Sequence, residues 1–159
     1  MLTLGDVPVG NITVGDHTGR LSFAEAAKND PAALKRVERK AYQGGYETLF
    51  ATPGSSIYSA VAQFSSEHVT GLADRAWVRE GRVTLHADSR PLGSKLGGHA
   101  TLFSGSTDVN GTQLPVFVVQ WRRGSALAVV MTVGRGASAA QAEHLAALQD
   151  VKLTSHDAT

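Results

Sequence analysis

The chain has 159 residues, 42% apolar and 18% charged, with a formal charge of +1 and no cysteine. That length and balance fit one globular domain able to bury roughly 70% of its unfolded surface, and the near-zero charge gives no global field for nucleic acid or an anionic membrane. The missing thiols exclude disulfides, thiolate nucleophiles, Fe–S clusters and cysteine-based zinc sites, and no apolar run approaches the ~20 residues of a membrane span.

Residues 1–20 carry short apolar alternations broken by Gly and Pro and read as an extended arm, with an edge strand around Asn11 to Val14. Met1-Leu2-Thr3-Leu4-Gly5-Asp6 lacks the basic and apolar regions of a signal peptide, so the chain reads as cytosolic or as the mature part of a secreted protein. Ser22 and Glu25 form a capping box for a short helix to about Lys28, and Asp30-Pro31 restarts helix as N-cap and first turn. Leu34, Val37 and Ala41 mark the buried stripe of that helix, and Lys35, Arg36, Arg39 and Lys40 its solvated face.

Tyr42 to Ala51 has the two-residue period of a strand, Pro53 to Ser56 turns, and Ile57 to Phe64 returns, which predicts a hairpin. Val69, Leu72, Ala73, Ala76 and Trp77 fall at i, i+3, i+4, i+7 and i+8 and predict a helix capped by Ser65 or Ser66 and stopped at Gly81. Val83 to Ala87 reads as a short strand ended by Asp88-Ser89-Arg90-Pro91, and residues 91–98 as a flexible connector.

Three runs then predict an antiparallel meander: His99 to Ser104, Leu114 to Trp121 and Ala126 to Val133. The first turn, Asp108-Val109-Asn110-Gly111, holds an Asn-Gly pair that tolerates the positive φ of a type I′ turn. The second is Arg122-Arg123-Gly124-Ser125. Ser138 with Gln141 opens a helix carrying Ala142, Leu145 and Leu148, followed by Val151-Lys152-Leu153 and a flexible tail over 154–159. The whole predicts a single α+β domain: one antiparallel sheet of five to seven strands with two or three helices packed on one face.

Three clusters are candidates for chemistry. His86, Asp88 and His99 are a two-histidine, one-carboxylate set with the composition of an open metal site, although their spacing matches no recognised motif. Tyr42, Tyr46 and Tyr58 fall on the predicted hairpin beside Gly44 and Gly45, and would line a small-molecule or peptide cleft over bare sheet or else pack in the core. Arg122 and Arg123 would offer a basic contact, or simply keep a hairpin tip solvated.

The remaining motifs read as structure. Gly54-Ser55-Ser56 and Gly105-Ser106 lack the Gly-x-Ser-x-Gly context of a nucleophile elbow. Gly93 to Gly98 places its lysine wrongly for a phosphate loop, and a strand follows it. No aromatic residues interleave with the basic clusters, which excludes a stacking platform for nucleic acid. His17, His68, His144 and His156 stand apart from any partner in the pattern, and no motif implies a cofactor.

The opening Leu2-Thr-Leu-Gly-Asp-Val-Pro-Val-Gly10 resembles the leucine-rich Asp-Leu-Pro-x-Gly start of mature actinobacterial secreted lipoproteins. Leu34 to Phe50, Ser56 to Phe64 and Val119-Gln-Trp-Arg-Arg-Gly124 are similar to the corresponding sheet segments of those domains, though the lipid-anchoring cysteine is absent. The resemblance implies a PsbP-like α+β fold, an extracytoplasmic location and a binding or accessory role, and it transfers no site residue. The favoured reading is thus a non-catalytic extracytoplasmic module for a small molecule or protein partner. The alternatives are a small metal-dependent enzyme using His86, Asp88 and His99, and a structural subunit that pairs with itself as a homodimer through Leu114 to Val133.

Overall fold

Among the described residues seven strands and two helices follow one another: β1 (Ile12–Leu21), β2 (Tyr42–Thr52), β3 (Ser55–Phe64), α1 (Glu67–Thr84), β4 (Asp88–Pro91), β5 (Ala100–Val109), β6 (Thr112–Arg123), β7 (Ala126–Gly134) and α2 (Ala139–His156). This computed structural model describes residues 1–8, 10–23, 41–84, 87–93, 96, 97 and 99–156. All but the first two residues of the helix predicted over Ser22–Lys28, the start of the helix predicted after Asp30, the Lys35/Arg36/Arg39/Lys40 face, His86, Lys95 and the last three residues lie outside them.

The strands form one antiparallel sheet in the order β1-β2-β3-β7-β6-β5-β4. Two meanders, β1–β3 and β4–β7, therefore meet along a β3–β7 seam, and α1 carries the chain from the seam to the far edge. The strand number and the α+β character agree with the sequence. The Asn110-Gly111 turn has both residues at positive φ, 52° and 78°, as a type I′ turn requires. The Gly111 N–H also donates to Asp108 Oδ1 at 2.8 Å.

The helices do not share one face, which corrects the sequence expectation. Successive side chains of β6 point to opposite faces and clamp different helices. Gln120 Nε2 donates to Asp74 Oδ1 of α1 at 2.7 Å, and Arg122 pairs with the same carboxylate at 3.2 Å. Trp121 Nε1 donates to Asp150 Oδ1 of α2 at 2.9 Å, and Arg123 grips both Asp150 oxygens. The sheet is thus a middle layer. β7 is accordingly buried on both faces from Ala126 through Val130, the unbroken apolar run expected of a two-sided strand.

Each helix has its own core. On the α2 face Phe50, Ile57, Leu102, Val119, Trp121 and Val130 pack against Ala142, Leu145 and Ala146. On the α1 face Ala62, Phe64 and Leu127 pack with Ala73, Val69 and Trp77. Leu72, expected in the stripe of α1, is instead 40% exposed, while Asp74 is buried. The inward face rotates toward Asp74 because β6 satisfies its charge.

Both helices run longer than the sequence predicts. α1 passes Gly81 and takes in Val83 and Thr84, so the fourth strand begins only at Asp88. A single helical glycine costs about 1 kcal/mol relative to alanine, too little to stop a packed helix. α2 is capped by Ser138 Oγ, which accepts the Gln141 N–H at 3.2 Å, and absorbs Val151 to Leu153. Arg122 and Arg123 belong to β6 rather than to the turn, which is formed by Gly124 and Ser125.

Candidate functional site

The α2 face is unevenly covered. α2 packs over β5, β6 and β7, and toward β1 and β2 the N-terminal residues 1–8 take its place. Between this arm and the sheet lies a cleft of about 870 Å³. Its floor is Gly44, Tyr46, Thr48 and Phe50 of β2 with Val61 and Gln63 of β3; Met1 to Leu4 and Leu153 of α2 form its walls, and Thr18 of β1 closes one side.

The arm is anchored by side chains the sequence pattern did not single out. Leu2 and Val7 are buried in the α2-face core. Asp6 accepts hydrogen bonds from the Thr3 N–H (2.6 Å) and Thr3 Oγ (2.7 Å) and pairs with Lys152 Nζ of α2 at 2.5 Å. Burial by itself would raise the Asp6 carboxyl, but the Lys152 ammonium and the two Thr3 donors outweigh it and hold the carboxyl below its ordinary value.

The lining is mostly apolar and, among the described residues, includes no charged side chain. Thr3, Thr18, Gln43, Thr48 and Gln63 are its polar members, with the Tyr46 hydroxyl, and the Thr18 hydroxyl is buried with no hydrogen-bond partner among the described residues. A buried hydroxyl is normally paired; this one lies beneath the surface of the cleft wall, closed to solvent. A cavity of this size, apolar with a few convergent polar groups, has the anatomy of a small-molecule site.

Of the three tyrosines, only Tyr46 reaches this cleft. A bulge between Tyr42 and Gly44 inserts one residue into β2, and a one-residue shift moves side chains to the opposite face. Tyr42 therefore lies on the α1 face, edge-on to Phe23 and Phe64 with ring centroids 5.7 and 5.9 Å away. Its hydroxyl crosses Gly45 to donate to the Leu21 carbonyl at 2.5 Å. A Cβ on Gly45 would stand 2.7 Å from that hydroxyl and 2.6 Å from the Val61 carbonyl, so only glycine permits the crossing. Tyr58, also on the α1 face, donates to Glu47 Oε2 at 2.7 Å, and burial together with the Glu47 carboxylate pushes its phenol far above the usual range.

The other candidate groups are not brought together. Arg122 and Arg123 point to opposite faces, each engaged with a helix aspartate. Asp88 pairs with Ser104 across the β4–β5 ladder, whereas His99 precedes Ala100 at the other end. Five strand positions separate the two, roughly 17 Å at the usual rise. Among the described residues no three His, Asp or Glu side chains converge. His68 and His144 are exposed on the helices. No described helix is long and apolar enough to cross a membrane.

No family model matches this chain, and no curated protein matches it. Among solved structures the extracellular domain of PknH from Mycobacterium tuberculosis has a similar fold, with a TM-score of 0.51 and 11% identity. The likeness covers 91% of this chain and 82% of that one. At such identity it speaks to the fold alone.

Proposed function

We propose, from a fold shared with an extracellular domain, that this chain is an extracytoplasmic, non-catalytic recognition module whose apolar cleft holds an uncharged small molecule. The observation that carries the reading is the cleft itself: about 870 Å³ between arm and sheet, free of charged side chains among the described residues and floored by Phe50, Val61 and Tyr46. The extracytoplasmic setting is supported by the fold of the mycobacterial extracellular domain and by the lipoprotein-like opening of the chain. An apolar body would displace poorly held water from the floor.

The test is fluorescence titration with N-phenylnaphthylamine, an uncharged apolar probe. The wild-type chain is expected to show saturable enhancement. Tyr46→Ala should weaken binding about fivefold, the effect of losing roughly 1 kcal/mol of aromatic contact. Tyr46 is 40% exposed, so the fold should tolerate the change. Unsaturable signal or equal binding by the variant refutes the cleft. Turnover in an unbiased hydrolase or redox screen, abolished by one point change, refutes the non-catalytic reading.

A further inference from the structure

A second cavity, of about 710 Å³, lies at the opposite end of α2. Gln141 lines this one and Leu153 the first, and twelve helical positions place them roughly 18 Å apart. It forms where the β2–β3 turn, the β5–β6 turn and the segment from Arg135 to Ala137 come together beside Asn11.

Its chemistry differs from that of the apolar cleft. Ser56 and Thr112 contribute hydroxyls, and Asn11, Asn110 and Gln141 contribute carboxamides; among the described residues Arg135 supplies the single cation and no carboxylate lines the cavity. Arg135 is exposed and forms no ion pair among the described residues. The first turn of α2 holds no acidic residue, so no carboxylate there offsets the positive end of the helix dipole. Asn11 spends its Nδ2 on the Pro8 carbonyl at 2.7 Å, while its Oδ1 is buried without a partner among the described residues.

We infer that this cavity binds an acidic saccharide, with Arg135 gripping the carboxylate of a uronic acid and the neutral hydroxyls and carboxamides taking its ring hydroxyls. One guanidinium matches the single charge of a carboxylate in bidentate geometry. A phosphate monoester carries nearly two charges, and among the described residues the lining holds no second cation to meet the other. Side chains that donate and accept without charge are what a polyhydroxylated ring requires, and Ile57 and Leu114 in the same wall offer apolar surface to its C–H face.

The experiment is calorimetric titration of the whole chain with a galacturonic acid trisaccharide, a neutral galactose trisaccharide and inorganic phosphate. The acidic trisaccharide is expected to saturate one site, and the neutral one to bind at least tenfold more weakly. Arg135→Gln should weaken the acidic trisaccharide about tenfold or more, as loss of a charged hydrogen-bonding partner does, with an unchanged urea midpoint showing that the exposed substitution leaves the fold intact. Gln141→Ala should weaken both sugars alike. Failure of the acidic trisaccharide to saturate, or equal affinity for the Arg135→Gln variant, overturns the inference. Phosphate binding as tightly as the trisaccharide also overturns it, because the site would then read charge alone.

Discussion

Replacing Asp150 with alanine tests the claim that β6 clamps the helices through buried aspartates. Asp150 is 6% exposed, and its carboxylate accepts from Trp121 Nε1 and from Arg123. Its removal leaves the fully buried indole N–H without a partner, which costs about 1–3 kcal/mol. The ion-pair loss adds less than a fully buried pair would, because the Arg123 side chain is 33% exposed; about 1 kcal/mol is the appropriate scale. Asp150→Ala should therefore lose about 3 kcal/mol, with a Tm drop of about 6–12 °C for a chain of this size. Asp150→Asn keeps an acceptor for the indole and should lose about half as much. Urea unfolding followed by far-ultraviolet circular dichroism gives the numbers. In a Trp121→Phe background, where no indole N–H exists to be orphaned, the alanine substitution should be milder by about 1–2 kcal/mol. A loss below 1 kcal/mol, or an equal loss in both backgrounds, refutes the clamp.

Three further outcomes are expected. The folded Tyr58 phenol is raised by burial and by Glu47, so the unfolded chain ionises first and stability falls as pH rises past about 10; Tyr58→Phe should flatten that alkaline limb in urea midpoints measured against pH. The Asp6 carboxyl is depressed, so its contribution is present above the ordinary aspartate range, near pH 4, and is lost as pH falls through the lower folded value. Asp6→Asn should remove that acid dependence and speed amide exchange in the N-terminal arm while the β3–β7 ladder stays protected. Gly45→Ala would drive a methyl into the Val61 carbonyl and the Tyr42 hydroxyl and should cost about 1–3 kcal/mol in chemical denaturation.

What the sequence made legible was local. Asn110-Gly111, the period-two runs on either side of it and the Ser138 cap encode their conformations within a few residues, and each is found in place. The two-sided burial of the sheet was written in Ala126 to Val130, an apolar run with no alternation, but such a run reads equally as one exposed face with excess hydrophobicity. Asp74, Gln149 and Asp150 spoil the apolar stripes of both helices, and only partners 27 to 90 positions away make their burial tolerable. The same distance hid the cleft. Its walls come from the N-terminal arm and the end of α2, brought together by the Asp6–Lys152 pair across 146 positions. Tyr42 and Tyr46 share a face in any unbroken strand; the bulge that separates them has no signal beyond the paired glycines.

The strand order also sets a schedule. Within each meander, neighbouring strands are joined by short connections or by the segment between β1 and β2, but the seam pairs Gln63 with Ala126. Bringing those ends together across about sixty residues costs roughly 1.5 kcal/mol more in chain entropy than closing a ten-residue loop. Contacts so distant in sequence form late and slow the search for the native state. The β5–β6–β7 meander can assemble by itself, whereas β3 must wait for α1 to cross the sheet. Until it arrives, β7 presents an open, apolar edge from Ala126 to Val130. A second chain offering its own β3 would satisfy that edge equally well, and the crossing through α1 is long enough to be exchanged. The place where this protein is most exposed to misassembly is therefore the middle of its finished sheet, not either rim.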